Sequence, residues 1–303
     1  MVAGAAVVNE IPAAAEPRDA HGPDIPFPTA ARDRIAVASY PFRAFIKSPG
    51  HRSTGQRPKM ELLDFPEHVV EKFGIHNIEP LGEQFASLDR TYLDSFRKRL
   101  EQAQVHAVNI PVTVGHSFYD AAAASRAVAV ENAKKWVDAA AQLGSPGIRT
   151  HIGRAKNSKP DVQRAAESLG RVADYAAGKN VVVTLENDDL VSEDAFFIVK
   201  VIEAVKNPYL RALPDFANSM LTGDAGFNYR ALTAMFEHAY NICHVKDGEA
   251  GDHGKQYNVD LKKSFEILKA SGYRGYCSME YDAPGDPYGP TTRLIQQTVE
   301  YLS

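Results

Sequence analysis

The chain has 303 residues, 44% of them hydrophobic and 24% charged, the balance of an ordinary globular protein. The net charge of −4 and a pI near 6.2 come with no basic cluster that would track phosphates, which argues against a nucleic-acid partner. No apolar run is long enough for a membrane span, and two cysteines, Cys243 and Cys277, exclude a disulfide framework. The length suits either one large α/β barrel with extensions or two ordinary domains.

Residues 1–33 are rich in Ala and Pro and carry neither a helical nor a strand period. Ala13-Ala14-Ala15 resembles the end of an export signal, yet a basic leader and a full apolar core are both missing. The segment reads as an irregular, solvated arm, with a signal remnant as the alternative; the location that follows is cytoplasmic, or exported on the second reading.

From Arg34 to Ser303 strand-like and helix-like runs alternate, the mark of βα architecture. Strands are expected to end near Phe42, Pro80, Val112, Ile152, Asn187, Asn218, Asp247 and Tyr281. Thr91 and Asp94 suggest a capping box for the helix ending near Gln104. Ala133, Trp136, Val137, Ala140 and Leu143 form one apolar helix face that Gly144 should stop. A second stripe runs from Val162 to Ala176, with Ser158 and Pro160 at its start and Gly178 at its end.

Eight such pairs favour a single closed (β/α)8 TIM barrel over residues 34–303. A doubly wound nucleotide fold would need a glycine-rich phosphate loop after its first strand, and none is present. The loops Arg43–Met60, Gly248–Tyr257 and Asp282–Pro290 follow strands and should crowd one face; the first reads as a partial lid.

Glu186, Asp215, His244 and Glu280 each close a strand-like run, with gaps of 29, 29 and 36 residues, about one βα unit each. Singly, such a residue is as readily a helix cap, an ion-pair partner or a core histidine. Four in consecutive units converge at the C-terminal mouth of a barrel. Three carboxylates and an imidazole suit one divalent cation of intermediate hardness: Mn²⁺ first, with Mg²⁺, Co²⁺ or Zn²⁺ as alternatives. Alternation along the strands turns Cys243 and Cys277 away from that site, into the helix layer.

Four further residues are candidates for substrate contact: Glu79, Asn109, Asn218 and Lys246, the last on the same strand side as His244. Tyr40 also stands at a strand end, with a structural role as the alternative. His151, in Arg149-Thr150-His151, should face the mouth as a base, a donor or a rim histidine. His253 belongs to a loop and reads as solvated.

Ile78-Glu79-Pro80, Thr184-Leu185-Glu186-Asn187, Pro214-Asp215, His244-Val245-Lys246-Asp247 and Ser278-Met279-Glu280-Tyr281 together resemble the xylose isomerase-like barrel superfamily across residues 34–303. The resemblance implies a metal held by Glu186, Asp215, His244 and Glu280. It also implies Glu186 and Glu280 as the acid/base pair of a sugar isomerase or epimerase, which moves a proton beside a carbonyl through an enediolate stabilised by the cation. Asn218 stands where ketose 3-epimerases carry a histidine, and Ala250 where they carry an arginine, so the implied substrate is less clearly a free ketohexose. Glu79, Asn218 and Lys246 occupy positions where the nuclease branch would need more metal ligands. The rival within the fold resembles C-glycoside deglycosidases, a 3-oxo-glycoside lyase with His151 as its base and a small partner subunit. A non-catalytic sugar-binding barrel is the third reading. The expected partner is a small sugar or sugar derivative, with self-association possible.

Overall fold

The computed structural model describes residues 22–49, 59–251 and 255–303. In chain order the regular elements are β1 (Ile35–Ala38), α1 (Phe65–Phe73), β2 (Asn77–Glu79), α2 (Arg90–Ala103), β3 (His106–Ala107), β4 (Ile110–Val112) and α3 (Ala123–Leu143). There follow β5 (Gly147–Thr150), α4 (Val162–Ala177), β6 (Val182–Glu186), α5 (Ala195–Val205), β7 (Leu210–Leu213) and α6 (Ala225–Phe236). The chain closes with β8 (Ile242–Val245), β9 (Gly248–Ala250), β10 (Gln256–Asn258), α7 (Leu261–Ala270), β11 (Tyr276–Met279) and α8 (Tyr288–Leu302).

The strands form two parallel sheets, ordered β3-β2-β1-β11-β8 and β4-β5-β6-β7. They meet at two seams. At one, the chain itself runs from β3 into β4 through Val108 and Asn109, so these are two halves of one interrupted barrel strand. At the other, parallel bridges join Ala212 to Ala239 and Asp215 to His244. The succession of strands around both seams is that of a (β/α)8 barrel, with a helix after each of the eight barrel strands.

Residue alternation sorts the side chains into two cores. Val37, Ile78, Ile148, Val183, Leu185, Val245 and Met279 belong to the cluster between strands and helices, and Cys243 and Cys277 pack with them. The two thiols are paired in register and lie 3.7 Å apart, fully buried. Inside the barrel Ala36, Val108, Leu213, Ile242 and Tyr276 form a separate apolar layer. Gly147 points inward as well; a Cβ there would come within 2.9 Å of Asn109 Oδ1, so the missing side chain makes room for the asparagine.

The described part of the N-terminal arm is irregular but attached. Phe27 packs edge-on against Tyr240 and Tyr276, with ring centroids 5.3 and 5.8 Å apart. Tyr240 donates to the Pro23 carbonyl at 2.6 Å, and Asn180 exchanges hydrogen bonds with the backbone of Asp24. Residues 22–33 of the arm therefore cap the N-terminal end of the barrel, opposite the mouth, whereas residues 1–21 lie outside the described residues.

Several local expectations are corrected. β1 stops at Ala38, because Tyr40–Phe42 turns into a 3-10 helix with proline in its first turn. β7 stops at Leu213, and Asn218 opens another 3-10 helix, Asn218–Thr222. Thr91 is not a cap: α2 begins at Arg90 after Asp89. The helix over 162–177 is capped by Asp161, whose side chain accepts from Arg164 N, while Ser158 bonds Ala121 N instead. Gly144 does stop α3, in the left-handed conformation at φ 74°. The loop after β8 folds into the antiparallel hairpin β9–β10, whereas His253 and half of the expected lid, 50–58, lie outside the described residues.

Candidate metal centre

Four strands deliver Glu186, Asp215, His244 and Glu280 to the C-terminal mouth. Glu186 is the last residue of β6, His244 lies within β8, and Glu280 follows β11 directly. Asp215 sits two residues past β7 and is held by its surroundings. Its backbone N–H donates to Asn187 Oδ1 at 2.8 Å, and Asn187 Nδ2 returns a bond to its carbonyl at 3.2 Å. Oδ1 accepts from the backbone N–H groups of Ala217 and Asn218, both at 2.8 Å. Oδ2 is buried and has no hydrogen-bond partner among the described residues.

One donor atom from each of the four residues lies within 4.8 Å of the others, and all four residues are buried. His244 Nδ1 is 2.8 Å from Glu186, 3.2 Å from Glu280 and 3.8 Å from Asp215. Such a concentration of carboxylates costs a great deal in a dry interior unless cations join it. The donors are hard oxygens with one imidazole, a set that a divalent cation fits.

Protons and nearby cations partly balance the charge in its place. Burial opposes a charged His244, yet Glu280, Glu79 and Glu186 raise its pKa well above the imidazole norm. Burial would raise Glu186 as well, but His244 and Arg149 together hold it far below the carboxylate range. Glu280, also opposed by burial, is brought down to about 2 by His244 and Lys246. For Asp215 burial prevails, and with Glu186 and Glu280 close by its pKa rises to about 7 despite Lys246.

Lys246 reaches the same cluster. Its Nζ is 3.0 Å from Glu280, 3.5 Å from Asp215 Oδ2 and 3.3 Å from Glu249, and it donates to Asn218 Oδ1 at 2.9 Å. Asn218 in turn donates to Glu186 Oε1 at 3.2 Å. Both candidates therefore lie against the donor atoms. A cleft of about 140 Å³ opens above them, walled by Tyr40, Leu81, Val112, Arg149, His151 and Asp188. Tyr40 also donates to Asp282 at 3.2 Å, tying the loops after β1 and β11 together.

His151 stands on the cleft wall with Nδ1 3.1 Å from Glu193 Oε2 and 3.4 Å from Asp188. Glu193 is itself fixed by the backbone N–H of Ile152, at 2.6 Å. The other ring nitrogen, Nε2, contacts Arg149 Nη1.

Glu79 and Asn109 are placed differently from the substrate-facing positions expected of them. Both are buried, Glu79 against His244 Nε2 and Asn109 donating to Glu79 at 2.8 Å, and neither lines the cleft. A two-residue step along β2 or β4 shows only which side of the strand they share, not how deep they sit.

Residues the sequence reading passed over include Arg149, Glu249, Asp188 and Glu193. Arg149 was recoverable, since it lies two positions before His151 and so on the same side of its strand. Asp188 and Glu193 come from an irregular stretch after β6, where no period signals orientation.

The family model for xylose isomerase-like TIM barrels matches residues 68–303. No curated protein sequence matches the chain. Among solved structures, a xylose isomerase-like TIM barrel protein from Mycobacterium smegmatis in complex with magnesium superposes with a TM-score of 0.68 at 15% identity, covering 90% of this chain and 98% of that one. D-allulose 3-epimerase from Methylomonas sp. gives 0.67 at 16% identity, covering 91% and 100%. The 3-keto-D-glucoside 4-epimerase from E. coli gives 0.64 at 15%, covering 88% and 98%. At these identities the likeness speaks for the fold alone. With the matched model spanning most of its length, the chain belongs to the xylose isomerase-like TIM barrel family.

Proposed function

We propose that this protein is a divalent-metal-dependent isomerase or epimerase of a sugar or sugar derivative. The observation that carries the reading is the buried set Glu186, Asp215, His244 and Glu280, whose donor atoms gather within 4.8 Å of one another beside an open cleft that Glu186 and Glu280 line. These four residues hold the ion, Mn²⁺ by preference and Mg²⁺, Co²⁺ or Zn²⁺ as alternatives. When bound, the cation supplies electrophilic polarisation of a substrate carbonyl, which acidifies the neighbouring C–H.

Glu186 and Glu280 are the proton carriers on this reading. The cations beside them hold both ionised, the form in which one removes the substrate proton; the other must carry a proton before it can return one to the opposite face. Lys246, which lines the cleft 3.0 Å from Glu280, supplies a donor for a substrate oxygen, and Asn218 orients it by accepting from its Nζ at 2.9 Å. Tyr40, Leu81 and Val112 narrow the cleft and limit water around the reacting carbon. The names of two structural relatives, an allulose epimerase and a keto-glucoside epimerase, support sugar chemistry of this kind.

One observation favours a second reading, the 3-oxo-glycoside lyase. His151 and Glu193 form a positioned imidazole–carboxylate pair on the cleft wall, as a general base requires. Against it, both ring nitrogens are engaged, Nε2 by Arg149. A small partner subunit belongs to this reading and self-association to the first; the location, cytoplasmic or exported with the N-terminus as a signal remnant, is independent of both. No helix among the described residues is long and apolar enough to cross a membrane.

Incubation with Mn²⁺ in deuterated water, against aldoses, ketoses, inososes and 3-oxo-glycosides, separates the two. The first reading expects deuterium at the inverted or isomerised carbon. Release of an aglycone with an unsaturated sugar, and no exchange into any free sugar, establishes the lyase instead.

A further inference from the structure

His244 turns its two ring nitrogens to different surroundings. Nδ1 faces Glu186, Glu280 and Asp215, whereas Nε2 faces the Glu79 carboxylate at 3.1 and 3.0 Å. Glu79 comes from the end of β2, on the far side of β1 and β11 from β8, and reaches the ring through the barrel interior. Two further donors converge on it. Ser278 Oγ donates to Oε2 at 2.6 Å and Asn109 Nδ2 to Oε1 at 2.8 Å. Ser278 is the register partner of His244 on the neighbouring strand, so it reaches Glu79 from beside the ring. The side chains of Glu79 and His244 are both 0% exposed, so water does not compete for any of these bonds.

We propose that Glu79 is a positioning residue for the metal centre, fixing His244 in the tautomer with hydrogen on Nε2 and presenting the Nδ1 lone pair as the ligand. The inference rests on Glu186, Asp215, His244 and Glu280 being the ion's ligands. A carboxylate behind a metal-binding imidazole locks the ring's orientation and raises its basicity, and losing it lowers metal affinity by about 10–100-fold in other sites. Ser278 and Asn109 complete the arrangement by holding both carboxylate oxygens. Glu79 does not line the cleft, and its side chain is fully buried.

The test compares Mn²⁺ and Zn²⁺ affinity, by titration calorimetry, for the wild type, Glu79→Gln and Ser278→Ala. Glu79→Gln keeps the shape but loses the charge, and its affinity is expected to fall about 10–100-fold. Ser278→Ala is expected to show a smaller fall in the same direction, and it carries the comparison if Glu79→Gln does not fold. Nitrogen-15 spectra of histidine-labelled, zinc-loaded wild type give an independent readout. The ring whose signals move on adding Zn²⁺ is expected to carry its proton on Nε2. Wild-type affinity in folded Glu79→Gln, unchanged affinity in Ser278→Ala if that variant alone folds, or a zinc-loaded His244 protonated on Nδ1 overturns the proposal while leaving the metal site standing. A wild type that binds neither ion overturns both.

Discussion

Arg149 and Glu186 form a buried ion pair at the wall of the cleft, with Nε 3.0 Å from Oε2 and side chains 9% and 3% exposed. The contact is not aligned as a hydrogen bond, since Arg149 Nε has no hydrogen-bond partner among the described residues, so its effect is that of a nearby charge. One oxygen of Glu186 is thereby engaged by a permanent cation, while the other, Oε1, turns to His244. Arg149→Met leaves that carboxylate buried and undercompensated. Without metal the variant should lose about 3–5 kcal/mol of stability, the usual cost of breaking a buried pair from one side. Saturating Mn²⁺ should restore part of the loss. Chemical denaturation with and without Mn²⁺ checks this, and a variant as stable as the wild type without metal contradicts it.

Asp215→Ala and His244→Ala should abolish stoichiometric metal on purification and remove the thermal stabilisation that Mn²⁺ gives the wild type. At 100 times the dissociation constant that stabilisation is about 2.7 kcal/mol. Metal spectrometry together with thermal unfolding is the measurement. Full metal content in either variant means that the ligands are elsewhere.

Metal binding should release protons. Without metal, His244 holds its proton far above the usual imidazole pKa, and Asp215 titrates near 7. An ion must displace what these atoms carry, so affinity is lowest in acid and rises with pH through 7 and beyond. Calorimetry at one pH in two buffers of different ionisation enthalpy counts the protons released. Affinity that is flat between pH 6 and 8 would be incompatible with this account.

Glu280→Gln should reduce turnover by about 10²–10⁴ while retaining weak metal binding, the range of general acid–base catalysis. On the isomerase or epimerase reading His151→Ala costs far less, about tenfold, through substrate orientation. If the enzyme is a 3-oxo-glycoside lyase the order inverts, because His151 then removes the proton. Steady-state kinetics of the two variants on the active substrate decides the order.

Replacing Cys243 and Cys277 together by Ser should lower the melting temperature and leave metal content unchanged. Burial pushes the Cys243 thiol up, so it stays protonated and behaves as a small hydrophobe. A hydroxyl in the same apolar layer is costlier, by about 1–3 kcal/mol if it finds no partner. Loss of metal from a variant that folds normally would contradict the outward orientation of both side chains.

Phe27→Ala should weaken the arm's attachment at the opposite end of the barrel. Two edge-on aromatic contacts disappear, each worth about 0.5–1.5 kcal/mol beyond the area they bury. Stability falls, but metal affinity and turnover should not change, because the contact lies at the far end of the strands from the cleft. Impaired metal binding in this variant would show that the two ends are coupled.

The features legible in the sequence are those with a local period. Alternation along a strand and the length of a βα unit were enough to bring Glu186, Asp215, His244 and Glu280 to one mouth and to turn Cys243 and Cys277 outward. A 3.6-residue stripe ended by Gly144 bounded α3 in the same way. Tertiary structure alone decided what lies behind and beside those four residues. Glu79 and His244 are 165 positions apart, and only barrel closure brings the carboxylate against the imidazole. The Arg149–Glu186 pair, the Glu193 support of His151 and the docking of Phe27 likewise depend on which strands become neighbours and at what depth their side chains sit. A strand's period says which face a residue occupies. Depth along the barrel axis, and the partner met across it, are set by register and shear, which no short stretch of sequence contains.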